Sequence, residues 1–194
     1  MKDIPPEAVA TARIGDPLAD ELIAVRCQLG ERDAFDMLIA RWHEPLWRYA
    51  RRLSDNQDTA DEVVQDVWLR VVRGIARLRD PARLRAWIFG IAHRVLMDRL
   101  RNKYAEPGHV ALDGTDIPAP ADATNIEDAI DIMHEELAQL PVTEREVLEL
   151  FYLQGLSLTE QAEILGIPVG TAKSRLFRAR HALRQLMSDK GLQP

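Results

Sequence analysis

The sequence predicts an all-α protein: two small helical domains joined by a flexible acidic linker. Three observations lead there. Apolar residues recur at the helical period along most of the 194 residues, which gives each segment one apolar stripe. No sustained apolar/polar alternation bounded by hairpin dipeptides occurs, so strands are not expected. Between the two periodic stretches lies 104–125, where Pro107, Gly108, Gly114, Pro118 and Pro120 sit among small and acidic residues. That composition buries too little apolar area to offset the entropy of ordering the chain.

The elements follow in order. Residues 1–17 read as a disordered leader without the apolar core of a signal peptide. A first helix spans 18–29 and Gly30 breaks it. A second spans 32–53, with Phe35, Leu38, Ile39, Trp42, Leu46, Trp47 and Ala50 on one stripe. Pro45 falls inside it and is expected to kink or divide it, because proline has no N–H to donate. A third helix, 56–75, buries Val63, Val64, Val67, Trp68, Val71, Val72 and Ile75. Residues 74–84, with Asp80-Pro81, read as a loop. A fourth helix, 85–102, packs Trp87, Ile88, Ile91, Ala92, Val95, Met97 and Leu100 to differing extents. The N-terminal domain therefore spans 18–103.

The C-terminal domain, 126–190, opens with a helix over 126–140 closed by Pro141, and continues with one over 143–153 stopped by Gly155. Ser157-Leu158-Thr159-Glu160 has the S-x-x-E form of a capping box and starts a short helix to Leu165. Gly166-Ile167-Pro168 makes a tight turn, and a long Arg-rich helix runs over 169–187.

Composition sets the class. With 46% hydrophobic and 29% charged residues the chain is that of a folded soluble protein. Its one cysteine, Cys27, supports neither a disulfide framework nor a cysteine zinc cluster and suits a reducing cytoplasm. No apolar run approaches the roughly 20 residues that span a bilayer, so no membrane insertion is expected.

The formal net charge of −6 seems to weigh against nucleic acid, but it is an average. Residues 70–103 carry ten bases and two acids, net +8, and 171–194 carry six bases and one acid, net +5. Between them, 104–144 has ten acids and no Lys or Arg. Two basic blocks, each ending a helical pattern, point to anionic partners.

Two helices joined by a short Gly-containing turn, the second one basic, describe a helix-turn-helix. An ordinary helical hairpin shares that period, so the residues must decide. Ala162, Ile164, Leu165, Ile167 and Leu176 are placed to pack its inner surface. The second helix then presents Thr171, Lys173, Ser174, Arg175, Phe177 and Arg178 early, where side chains reach base edges in a major groove.

The run LPVTEREVLELFYLQGLSLTEQAEILGIPVGTAKSRLFRARHAL, starting at Leu140, closely resembles the promoter-binding C-terminal domain of extracytoplasmic-function (ECF) sigma factors. ADELIAVRCQLGERDAFDMLIARW, DTADEVVQDVWLRVVRGI and LRAWIFGIAHRVLMDRLR resemble their N-terminal domain, in the family's order and spacing. The resemblance implies a factor that binds core RNA polymerase and directs it to promoter DNA, without a cofactor. It implies that Glu62, Gln65 and Asp66, with Asp61 as a neighbour, dock on the polymerase clamp helices. These are the polar groups left free by the valine-tryptophan stripe. It implies that 77–101 melts and reads the −10 element, with Arg77, Arg79, Arg83 and Arg85 supplying charge around the loop. Trp87 belongs either to the core or to the melting surface, and Arg94 and Asp98 stand one turn apart at promoter-contact positions. Arg94 departs from the Asn frequent there. In the C-terminal domain Lys173, Ser174, Phe177 and Arg178 match −35 contacts, with Arg175 and Arg180 adding phosphate contacts. Gln161 and Ala172 stand where apolar residues and Val are usual, which polarises or shrinks that core. The resemblance further suggests an anti-sigma factor that clamps the two domains.

Catalysis finds little support. The five histidines show no H-x-x-x-H or H-E-x-x-H spacing, and neither a phosphate-binding G-x-x-x-x-G-K-[ST] loop nor a G-x-S-x-G elbow occurs. The carboxylates of Asp61, Glu62 and Asp66 leave a metal site open only if a further ligand converges on them. The alternative function is a helix-turn-helix activator or repressor whose first half senses a ligand. That half would need a pocket rather than a docking helix and a basic segment.

Overall fold

The computed structural model describes residues 17–54, 56–105 and 139–189. Among these, seven α-helices and no strand occur: α1 (Pro17–Gln28), α2 (Arg32–Leu53), α3 (Gln57–Gly74), α4 (Leu84–Ala105), α5 (Val142–Leu148), α6 (Leu158–Leu165) and α7 (Val169–Asp189). Helices α1–α4 form an N-terminal unit and α5–α7 a C-terminal one. The leader over 1–16, most of the linker and the helix expected over 126–140 lie outside the described residues. Residues 104 and 105, expected in the linker, continue α4.

Each element starts and stops for a local reason. Asn56 caps α3, its side chain accepting from Thr59 N at 2.8 Å. Gly30 ends the α1 turn at φ +80°, a backbone conformation that costs glycine little. α2 runs its full 22 residues through Pro45, so the expected division does not occur. Only one intrahelical bond is lost there, and the burial of Pro45 itself with Trp42, Leu46 and Tyr49 holds the helix across it. The loop expected over 74–84 contains two 3₁₀ turns, Ile75–Arg77 and Pro81–Arg83; Asp80 caps the second by accepting from Ala82 N at 3.1 Å.

The N-terminal core is built from Ile23, Leu38, Trp42, Tyr49, Val63, Val67, Ile88, Phe89 and Leu96, all within 1% of full burial. Trp42 and Tyr49 each meet Phe89 edge-on, with centroids 6.0 and 5.3 Å away, the arrangement that ring quadrupoles favour. Two expected core residues lie outside it: Ile39 is 41% and Val72 54% exposed. Periodicity assigned them to a stripe wider than the neighbouring helices cover. One ion pair is buried with this core, Arg41 Nε to Asp20 Oδ1 at 2.6 Å. Burial raises the Asp20 carboxyl above its ordinary range, and Arg41 opposes that rise.

In the C-terminal unit α5 passes into a π-helical turn, Glu149–Leu153, rather than continuing as α-helix to 153. Gly155, at φ +60°, then reverses the chain, and Leu156 N closes onto Leu150 O at 2.9 Å. The small core comprises Leu140, Val147, Leu148, Leu176 and Ala179. Leu150, Leu156 and Ile164 instead join the N-terminal core. Ile164, expected inside the helix-turn-helix, is thus seated against α4, with Cγ1 3.9 Å from where a side chain on Gly90 would begin. The two units therefore share one apolar seam.

Candidate nucleic-acid interface

Both ends of α6, the first helix of the helix-turn-helix, are fixed by local chemistry. Ser157 Oγ accepts from Glu160 N at 3.3 Å, and Glu160 Oε2 accepts from Ser157 N at 2.8 Å, so the capping box forms as expected. Gly166 ends α6 at φ +63°, and Ile167 N reaches back to Ala162 O at 3.0 Å. Gln161 is fully buried and donates to Leu156 O at 3.0 Å. Its Oε1 is buried with no partner among the described residues, which is the polarised core that the sequence suggested.

The turn at Gly166 orients α7. Ala172, Leu176 and Ala179 face inward, while Lys173, Ser174, Phe177 and Arg178 form one exposed strip. Phe177 is 70% exposed, a large cost for a ring with no role outside the fold. Ser174 Oγ donates to Thr171 O at 3.0 Å, and Thr171 and Arg175 are half-buried at the edges of the strip. Arg180 stands apart: its guanidinium lies 5.2 Å from the ring centroids of both Phe151 and Tyr152. It is a cation–π partner on another side of the helix and not a member of the strip.

A second basic surface lies on the N-terminal unit. Arg77, Arg79, Arg83, Trp87 and Arg94 line one side of a cleft of about 390 Å³, and Glu160, Glu163 and Ile164 of α6 line the other. Trp87 is half-buried, packs on the core and also lines this cleft. Gly74 makes room for it, since a methyl there would begin 3.1 Å from Trp87 Cζ2. Arg85 is turned towards the C-terminal unit, its Nη2 3.5 Å from Gly155 O. Arg94 and Asp98 stand one turn apart on α4, as expected, but line different clefts. Asp98 lines its own with Thr59, Asp66 and Arg70, and pairs with Arg101.

The acidic face of α3 sits opposite its buried valines, with Asp61, Glu62 and Gln65 exposed and Asp66 half-buried. Trp47 Nε1 donates to Asp61 Oδ1 at 2.7 Å. Arg99 of α4 pairs with Glu62 and, at 2.8 Å, with Asp66. These carboxylates do not converge on a vacant centre, and no group of three or more potential metal ligands gathers among the described residues.

Sequence reasoning missed the residues that join the two units. Tyr49 donates its hydroxyl to Glu146 Oε1, and His93 Nδ1 bonds the same oxygen at 2.7 Å. Burial, then the Glu146 charge, push the Tyr49 hydroxyl well above its usual pKa. Arg52 Nη1 lies 2.7 Å from both oxygens of Glu149, whose Oε1 also accepts from Gln154 Nε2 at 3.0 Å. Glu163 of α6 pairs with Arg83; that hydrogen bond and charge raise the pKa of the Arg83 guanidinium. No local pattern pairs residues so far apart in the chain. The available signal was only that Glu146 and Glu149 interrupt an apolar run.

An exposed strip on the second helix of a helix-turn-helix, a basic aromatic cleft and an acidic helix face on one all-α chain define the sigma-70 class of transcription initiation factor. Sequence comparison agrees: 38–105 match the family model of sigma-70 region 2 and 130–183 that of sigma-70 region 4. ECF RNA polymerase sigma factor SigM of Mycobacterium tuberculosis is 36% identical over 168 residues, which cover 86% of this chain and 83% of that protein. Two solved structures share the fold. CnrH, in complex with the cytosolic domain of CnrY, has a TM-score of 0.64 and 26% identity over 88% of this chain and 97% of its own. The sigma factor RpoE of Bartonella quintana, in complex with the anti-sigma factor NepR, has a TM-score of 0.65 and 25% identity over 79% and 96%. The chain belongs to the ECF family of RNA polymerase sigma factors. It directs promoter-specific initiation of transcription.

Proposed function

We propose that the labour is divided among the three surfaces. The α3 face of Asp61, Glu62, Gln65 and Asp66 docks on core RNA polymerase. The cleft of Arg77, Arg79, Arg83, Trp87 and Arg94 holds the separated −10 strand, because guanidinium groups bind phosphate and an aromatic face stacks an unpaired base. The α7 strip of Lys173, Ser174, Phe177 and Arg178 enters the major groove at the −35 element, with Thr171 and Arg175 at its edge.

The observation that carries this is the α7 strip. Four neighbouring side chains are presented to solvent on a helix that follows a left-handed glycine turn and a preceding helix started by a capping box. A helix needed only for packing has no use for an exposed phenylalanine between two cations.

The protein works in the cytoplasm beside its polymerase and contributes no catalytic group of its own; bond formation belongs to the polymerase. No helix among the described residues is long and apolar enough to cross a membrane. Because RpoE is seen with the anti-sigma factor NepR, and CnrH with the cytosolic domain of CnrY, we assign this chain an anti-sigma partner too. An activator or repressor with a sensing half is disfavoured, since 38–105, where a sensor would lie, match sigma-70 region 2.

The test is transcription in vitro with core polymerase and mapping of transcript starts. Wild-type chain yields starts at a shared promoter pattern. Arg178→Ala abolishes initiation at −35-dependent templates while core binding persists. Equal loss at every template, or none, would refute base readout by α7.

A further inference from the structure

The loop that carries Arg77 and Arg79 has little regular structure of its own. It makes one 3₁₀ turn, Ile75–Arg77, closed by Leu78 N on Ile75 O at 3.1 Å, and Leu78 then leaves with extended backbone at φ −64° and ψ 112°. A carbonyl in such a position has no ladder to bond to and needs a partner from elsewhere. Gln28, the last residue of α1, supplies it. Its side-chain Nε2 donates to Leu78 O at 2.7 Å and to Ile75 O at 3.2 Å. An amide nitrogen of this kind carries two protons, so both are committed to the loop, one at each end of the turn. The helix behind Gln28 is firmly seated, with Ile23, Ala24 and Cys27 no more than 3% exposed. The loop is thus tied to a packed helix 47 and 50 positions away in the chain.

The tie falls between two functional side chains. Leu78 stands between Arg77 and Arg79, and both guanidinium groups line the cleft assigned above to the −10 strand. Both arginines are exposed, and neither has a hydrogen bond or ion pair among the described residues. Their direction is therefore set by the backbone that carries them. Leu78 packs its side chain on the core, Asp80 caps the next turn, and Gln28 holds the carbonyl between the two arginines.

We propose that Gln28 is a positioning residue for the −10 strand: it sets in advance the backbone from which Arg77 and Arg79 reach the strand phosphates. The inference rests on assigning that cleft to the −10 strand. Gln28 acts through the loop and not by contact with DNA. A loop already ordered loses no freedom when the strand arrives, so affinity rises without any added contact.

Two full-length variants, assembled with core polymerase, test it. Gln28→Met keeps the length and removes both donors. Gln28→Glu keeps the shape and sets carboxylate oxygens against two carbonyl oxygens. Fluorescence anisotropy reads two labelled probes from a promoter mapped as above: a short single strand holding the −10 segment, and a duplex holding only the −35 segment. Gln28→Met should weaken strand binding about ten-fold, the worth of one to two hydrogen bonds, and Gln28→Glu should weaken it further. Binding of the −35 duplex, capture by core polymerase and helical circular dichroism should stay unchanged. Hydrogen exchange at the Leu78 amide should quicken in both variants.

A double-mutant cycle separates positioning from packing. Arg77→Ala with Arg79→Ala removes the groups that Gln28 orients, so adding Gln28→Met to that pair should cost little more. A further loss of the same size as in the single variant overturns the positioning role and leaves the −10 assignment standing. Equal loss on both probes, or unchanged strand binding in both Gln28 variants, overturns it in the same way. An arginine pair variant that binds the strand like the wild type overturns the −10 assignment and this role with it, while faster exchange at Leu78 still reports the tie.

Discussion

Arg52 and Glu149, 97 residues apart in the chain, meet with Arg52 Nη1 2.7 Å from both carboxylate oxygens, and neither side chain is more than 9% exposed. An ion pair this dry gains little net stability, because taking both charges out of water costs about what their attraction returns. Its effect is on specificity. Any docking of the two units that misaligns the pair leaves a buried charge without a partner, so only one register is tolerated.

Tyr49 makes this docking sensitive to alkali. Its folded pKa is raised well above 10, by burial first and by the Glu146 charge next. The group's contribution is therefore complete below about pH 10 and is lost as pH rises from there towards the folded value. Tyr49→Phe should lower stability at neutral pH by about 1–3 kcal/mol, the worth of a hydrogen bond to a charged group. It should also flatten the fall of Tm above pH 10. Thermal melts of both proteins at several alkaline pH values measure it, and parallel curves would contradict the assignment.

Cys27 titrates in a lower window. Burial, with a smaller push from Glu31, lifts its thiol from 9.0 to about 11. The stability it confers is full below pH 9 and declines between pH 9 and about 11, by up to about 2–3 kcal/mol. Cys27→Ala should remove that part of the decline. At pH 8 the wild-type thiol, 3% exposed, should react with a maleimide only as fast as the N-terminal unit opens.

Two local devices bound α6, a cap at its start and a left-handed glycine at its end. Ser157→Ala should cost about 1 kcal/mol by removing the cap. Gly166→Ala should cost about 1–2 kcal/mol of backbone strain alone, because at φ +63° nothing lies within 4 Å of an added methyl. Each should lower Tm by a few degrees and reduce −35-dependent transcription no more than the lost stability accounts for. A much larger transcription defect would give these residues a direct role.

On α3, stability and docking are separable at Gln65, which is exposed. Gln65→Ala should stay within about 0.5 kcal/mol of the parent in a denaturant melt yet weaken capture by core polymerase. Asp66→Arg should weaken capture further and also shift stability, since it sets a cation against Arg99. Unchanged capture by both would refute the docking face.

The local layer was legible in the sequence. The capping box at Ser157, the stops at Gly155 and Gly166, the polar face of α3 and the strip of α7 follow from rules that act within a few residues. The errors had a common source. Ile39 and Val72 fit the apolar period but are exposed, and Pro45 fits a break but is spanned, because neighbouring helices decide which part of a stripe is covered.

By itself the sequence determined helices, caps, charge blocks and family, all of which depend on near neighbours or on motif spacing. Only the tertiary structure decided that Ile164 packs on α4 rather than inside its own unit, that Glu163 meets Arg83, and that Glu146 is shared by Tyr49 and His93. Those contacts join residues 53 to 97 positions apart, where no periodicity carries information. They form because a dry apolar seam brings the two units together and every charge buried with it must find a partner.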